Sequence, residues 1–114
     1  MAHGTSREEA KRKLPNGWHN LIDQIYDLVE KEGCKIMVIK DKCGWLRTLV
    51  RGNFGPMAAA KIVSLEQESD SVCMHCGHYG RRRARIAYSI FCEECELAGI
   101  EKRHGKTIDP YEET

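Results

Sequence analysis

The chain has 114 residues, of which 41% are hydrophobic and 31% charged, and its formal net charge at pH 7 is +1. That length holds one domain, or one small domain with a metal-bound appendix, and its core is of the modest size that a metal staple commonly supplements. No segment approaches the ~20 consecutive apolar residues of a membrane span, which argues against a membrane-spanning role.

The charge is unevenly spread: residues 1–16 carry +2, residues 17–72 carry −1, residues 73–106 carry +3 and residues 107–114 carry −3. The six cysteines would suit a disulfide scaffold in a secreted chain. However, residues 1–20 are polar and charged, and no apolar run of signal-peptide length follows the start. Reduced cysteines in a cytoplasmic protein are the expectation.

In chain order, residues 1–16 predict a mobile basic arm with helical character from Arg7 onward. Leu14-Pro15-Asn16-Gly17 opens the first main element, with Asn16 as its N-cap. Trp18, Leu21, Ile22, Ile25, Leu28 and Val29 fall three and four apart, which makes one apolar stripe on a helix. Gly33 is placed to stop that helix. Cys34 to Lys40 reads as a strand, Asp41 to Gly44 as a four-residue turn, and Trp45 to Arg51 as the returning strand. On the second strand Trp45, Arg47, Leu49 and Arg51 share one face, and Leu46, Thr48 and Val50 share the other. Pro56 suits the first turn of a second helix, on which Ala58, Ile62 and Leu65 repeat at helical spacing up to about Ser69.

Two Cys-x-x-Cys pairs follow: Cys73-Met74-His75-Cys76 and Cys92-Glu93-Glu94-Cys95, separated by fifteen residues. This pattern predicts a four-thiolate zinc site. Two cysteines three apart can hold one metal from a single tight turn, and Gly77 lets the first turn reverse. A hairpin then returns the second pair to complete a tetrahedron with Zn–S bonds of about 2.3 Å. Four sulfurs leave no open position for substrate, so the expected role is structural, with one Zn2+ held by Cys73, Cys76, Cys92 and Cys95. Arg85 to Phe91 alternates as a strand, and Glu96 to Arg103 predicts a short helix with Lys102 and Arg103 at its end. Knuckle, hairpin and helix in that order match a treble-clef finger; a zinc ribbon, with its second pair on a β-turn, is the alternative.

Gly17-Trp18-x-x-Leu21-Ile22, then Lys40-x-Lys42-x-Gly44-x-Leu46-Arg47, then a knuckle and a terminal cysteine pair, together resemble a group of small uncharacterised bacteriophage and prophage proteins. The resemblance covers roughly residues 17 to 98. It implies an α-β-β-α part followed by a finger, acting in the cytoplasm of an infected bacterium, and it implies no activity.

The sharpest surface feature is Arg81-Arg82-Arg83-x-Arg85. Four guanidiniums on a finger hairpin can pair with phosphates of DNA or RNA, with Tyr79 or Tyr88 stacking on a base. The same arginines can instead keep a hairpin tip solvated, or bind an acidic protein surface. His75 and His78 flank Cys76 and are expected beside the thiolates rather than among the ligands. A nuclease reading of His104 lacks an Asn or Asp partner at a suitable offset. Cys34 and Cys43 lack redox-pair spacing. Trp18 and Trp45 are expected to seat the helix against the hairpin. No catalytic grouping stands out.

The sequence therefore predicts an α+β protein with two helices packed on a β-hairpin and a C-terminal treble-clef-like zinc finger. Its expected segments are an arm at 1–16, a core at 17–70, a finger at 71–104 and a flexible acidic tail at 105–114. The expected function is a non-enzymatic zinc-stabilised binding module that contacts nucleic acid through the finger. The rival is a phage-encoded inhibitor that binds a host or defence protein.

Overall fold

In the computed structural model, which describes residues 4–83, 89–103 and 106–109, the expected basic arm is a docked helix, α1 (Arg7–Lys13). Its local sequence specifies it. The Ser6 hydroxyl accepts the Glu9 amide at 3.1 Å, Glu8 and Glu9 occupy the first turn, and Lys11, Arg12 and Lys13 occupy the last. These placements cap the free amides and oppose the helix dipole.

What the reading of a mobile arm missed is a match between two helices. After a single 3-10 turn at Asn16–Trp18 the chain enters α2 (His19–Lys31). Arg7 fans across one face of α2, to Asp23 at 3.2 Å, Asp27 at 2.8 Å and Glu30 at 3.2 Å, while Lys11 reaches Asp23 at 2.7 Å. The Lys11 hydrogen bond, acting against partial desolvation, holds Asp23 below the usual carboxylate range. Ala10 and Leu14 are buried beside the α2 stripe of Leu21, Ile22, Ile25 and Val29. Tyr26 anchors the preceding segment by donating to the Thr5 carbonyl at 2.6 Å. Burial, with Glu9 nearby, pushes its phenol up to about 12. The Asn16 side chain is not the N-cap of α2, which has no side-chain cap.

Gly33 adopts φ +69° after α2 and turns the chain into β1 (Lys35–Lys42), which pairs antiparallel with β2 (Trp45–Arg51). The connection is two residues rather than four: Cys43 at φ +54° and Gly44 at φ +89° both take left-handed backbone. A pair of such residues matches the twist of the flanking strands. The Asp41 carboxylate accepts the Gly44 amide at 2.8 Å and stiffens the turn. A bulge between Ile36 and Val38 shifts the register once.

Both edges of this hairpin are covered. Helix α3 (Pro56–Glu68) starts on Pro56 and lies along β2. There the Glu66 carboxylate accepts the Thr48 amide at 2.7 Å, and the buried Ser69 hydroxyl accepts the Leu46 amide at 3.0 Å. On β1, Thr5 donates its amide to the Ile36 carbonyl at 2.9 Å and its hydroxyl to the Met37 carbonyl at 3.2 Å. Unpaired strand edges invite intermolecular pairing, and these contacts remove that risk.

A 3-10 turn at Ser69–Ser71 leads to the cysteine-bearing third. There β3 (Arg81–Arg83) pairs antiparallel with β4 (Ser89–Phe91), and α4 (Glu93–Leu97) follows. Gly99 at φ +80° ends α4. Glu101–Arg103 is therefore a strand, β5, and not the end of a helix. It pairs antiparallel with β6 (Lys106–Ile108), in the stretch expected to be a loose tail.

Two contacts tie this last hairpin down. Lys106 Nζ donates to the carbonyls of Lys11 (2.7 Å) and Leu14 (3.0 Å), and to Asn16 Oδ1 (3.0 Å). An ammonium there satisfies carbonyls left free at the end of α1. Lys102 forms a largely buried ion pair with Asp41 at the tip of the first hairpin. The core is continuous: Trp18, Ile22 and Leu46 belong to the same buried cluster as Met74, Phe91 and Ile100. No helix among the described residues is long and apolar enough to cross a membrane.

Candidate metal centre

The first cysteine pair lies on a tight reversal. Val72 and Tyr79 form an antiparallel bridge, and between them the Gly77 amide donates to the Cys73 carbonyl at 3.0 Å while the Cys73 amide donates to His78 O at 2.7 Å. Gly77, at φ +83°, supplies the left-handed residue that closes the turn. The Met74 amide donates to Ile90 O at 2.8 Å and so fixes the knuckle to β4. Cys92, directly after β4, is the N-cap residue of α4, and Cys95 lies within that helix. Knuckle, hairpin, and a helix opened by the second pair follow in the treble-clef order.

These elements converge four sulfurs. The Sγ atoms of Cys73, Cys76, Cys92 and Cys95 all lie within 4.8 Å of one another, and Cys76 and Cys92 are 3.7 Å apart. A tetrahedron with metal–sulfur bonds of about 2.3 Å has edges of about 3.8 Å. The four cysteines can therefore hold one metal ion.

The surroundings fit a cation shared by thiolates. Burial would raise the Cys73 thiol, but the amides of Cys76, Cys92 and His75 point at its sulfur, and the balance is a lowered pKa. For Cys95, burial and the neighbouring sulfurs act together and push the thiol up, and Cys76 is raised in the same way. Four closely spaced sulfurs disfavour one another's charge, and a divalent ion at their centre removes that penalty. His78 Nδ1 lies 3.3 Å from Cys76 Sγ, and His75 Nδ1 lies 3.5 Å from Cys95 Sγ. The two histidines are neighbours of the sulfurs, placed to donate an N–H to a thiolate and orient it.

Compared with known proteins, the chain matches no family model, no curated protein and no solved structure.

Two glycines missed by the sequence reading matter to the centre. Gly17 donates its amide to the Met74 carbonyl at 2.7 Å, and a Cβ there would stand 1.8 Å from the Cys73 carbonyl oxygen. At Gly80 a Cβ would meet the Cys73 backbone at 3.0 Å and Phe91 at 3.1 Å. In the sequence the only signal for Gly17 is its position just before Trp18, and spacing carries no information about a close approach of backbone to backbone.

Of the other candidates, Arg81, Arg82 and Arg83 make up β3, with Arg81 exposed and Tyr79 80% exposed just before them. Arg85, Tyr88 and His104 lie outside the described residues. Cys34 and Cys43 stand at opposite ends of β1, an eight-residue strand that spans roughly 26 Å, so they form no redox pair. Trp18 is fully buried as expected. Trp45 is not: it is 46% exposed and donates its indole N–H to Asp70 at 2.7 Å.

Proposed function

We propose that the ion is zinc and that the protein is a non-enzymatic, zinc-stabilised binding module that contacts nucleic acid through its finger hairpin. Four sulfur donors at tetrahedral spacing favour zinc among the common divalent ions. With every coordination position filled by the protein, a bound zinc supplies structure and leaves no site for substrate. Cys73, Cys76, Cys92 and Cys95 hold the ion, and the amides at Cys73 and the two histidines orient the sulfurs.

The observation that carries the nucleic-acid reading is the exposure of Tyr79 two residues before Arg81. Tyr79, Gly80 and Arg81 line a cleft of about 450 Å³ beside Cys92 and Glu93. An exposed aromatic ring next to guanidiniums is suited to stacking on an unpaired base while the cations meet phosphates. Arg82, Arg83, Arg85 and Tyr88 follow in the sequence and supply three further cations and a second aromatic ring. A single-stranded oligonucleotide is thus the preferred ligand of the finger.

The test is titration of a labelled single-stranded oligonucleotide at increasing salt. For wild type, log K should fall linearly with log salt. The variant carrying R81Q, R82Q, R83Q and R85Q should lose roughly 0.7 of slope for each phosphate contact removed. Tyr79→Ala should weaken binding about tenfold, the equivalent of roughly 1.4 kcal/mol of stacking. If neither DNA nor RNA is retained at low salt, the reading fails. Salt-insensitive capture of a protein that survives all four replacements would favour the rival, a phage-encoded inhibitor of a host or defence protein.

A further inference from the structure

The first hairpin has four sides, and three are occupied. Its β2 edge is satisfied by Glu66 and Ser69 of the α3 region, and its β1 edge by Thr5. Its inner face sets Ile36, Ile39 and Leu46 into the core. Among the described residues, its outer face is the exposed one. The register places on it the cross-strand pairs Lys35–Arg51, Val38–Leu49, Lys40–Arg47 and Lys42–Trp45, all eight of them exposed.

Five of those eight residues are cations, and no carboxylate shares the face. Directly opposed like charges are destabilising, and this face has two such pairs, Lys35–Arg51 and Lys40–Arg47. Among the described residues none of the five cations has a carboxylate within salt-bridge distance. The two acids that line the same cleft as Arg47 bond elsewhere, Glu66 to Thr48 and Asp70 to the Trp45 indole. A chain of net charge +1 thus concentrates on one exposed ribbon face five cations that have no carboxylate partner among the described residues. Such an arrangement costs stability in the free protein and is relieved by a polyanion.

The spacing selects the polyanion. Arg47 and Arg51 are four residues apart on β2, as far as roughly 13 Å along the strand. The major groove of B-form DNA is about 12 Å wide. The cation pairs Lys35–Arg51 and Lys40–Arg47 therefore match the two phosphate walls, and Val38 and Leu49, midway between them, face the groove where thymine methyl groups lie. The deep, narrow major groove of an RNA duplex gives no such match.

We infer that the outer face of β1–β2 is a binding surface for duplex DNA, laid across the major groove with its two cation pairs on opposite phosphate backbones. This surface is separate from the finger arginines and does not depend on them.

The test uses the full-length, metal-loaded protein and fluorescence anisotropy with a labelled DNA duplex of about 20 base pairs, from 50 to 200 mM salt. A wild-type slope of log K against log salt near −4 is expected, from four to five phosphate contacts at about 0.9 each. K35Q/K40Q/R47Q/R51Q should reduce the slope to about −0.5 and weaken binding at least 100-fold at 50 mM salt. The milder K40Q/R47Q pair should remove about 2 from the slope and guards against any folding defect in the quadruple variant. The finger variant with Gln at 81, 82, 83 and 85 should keep duplex binding while losing single-stranded binding, so the two surfaces fail or succeed separately. Wild-type affinity in K40Q/R47Q, equal affinity for a duplex RNA of the same sequence, or displacement by poly-glutamate as readily as by DNA would overturn the inference.

Discussion

Cys92→Ser is expected to abolish stoichiometric metal binding and to unfold the cysteine-bearing third of the chain. Serine is nearly the size of cysteine, so the packing beside Phe91 changes little; the lost quantity is a soft, anionic donor. Cys92 lies 3.7 Å from Cys76 and is the residue from which α4 starts, so its loss opens one corner of the cluster and frees the helix that carries Cys95. Binding of a structural zinc by such sites is worth on the order of 10–16 kcal/mol, a sum comparable with or larger than the whole stability of a domain this size. Because Met74, Ile90, Phe91 and Ile100 share one buried cluster with α1, α2 and β2, the loss should spread beyond the finger. Metal content after dialysis against a chelator should fall from one ion per chain to a small fraction, with a large drop in Tm. Cys34→Ser, at a part-buried thiol outside the cluster, should retain the metal.

Gly17→Ala is expected to be nearly as damaging, although Gly17 touches no metal. An added methyl would overlap the Cys73 carbonyl at 1.8 Å and approach Met74 at 2.7 Å, and both obstacles are backbone. A side chain can rotate away, whereas the knuckle backbone is held by the Cys73–His78 and Met74–Ile90 hydrogen bonds. Overpacking in such places costs about 3 kcal/mol or more, which in a domain of this size lowers Tm by on the order of 10 °C. The knuckle would be levered away from the 3-10 turn at Asn16–Trp18, so metal should also leave faster in a chelator competition. Gly55→Ala is the matched control: a methyl there meets nothing within 4 Å, and only a weak N-cap preference is lost. Equal stability of Gly17→Ala and Gly55→Ala would show that the 3-10 turn before α2 and the knuckle are not in contact.

What could be read from the sequence is what depends on local spacing. The stripe from Leu21 to Val29 marked an amphipathic helix, Gly33 its end and Pro56 the start of α3, while Trp18 at the head of the stripe belongs to the 3-10 turn before it. The two Cys-x-x-Cys pairs predicted the sulfur cluster, because three-residue spacing and a hairpin return are local requirements.

The misreadings came from partners distant in the chain. Arg7 and Lys11 read as a free basic arm because Asp23, Asp27 and Glu30, which receive them, lie in another helix. Lys106 read as part of a loose tail because its acceptors, the carbonyls of Lys11 and Leu14, are ninety or more residues away in sequence. Lys102 and Arg103 read as a favourable helix end, but Gly99 had already stopped α4 and Asp41 supplied a partner for Lys102. The basic outer face of the first hairpin was half visible in the alternation of Trp45, Arg47, Leu49 and Arg51. On β1 Lys40 and Lys42 continue that alternation, and Lys35 joins them only because the bulge between Ile36 and Val38 shifts the register.

The most direct measurement of the account is X-ray absorption at the zinc edge on the purified protein, alongside elemental analysis. One zinc per chain with four sulfur neighbours at about 2.3 Å is the expected result. A first shell containing nitrogen or oxygen, or a chain folded without metal, would contradict it.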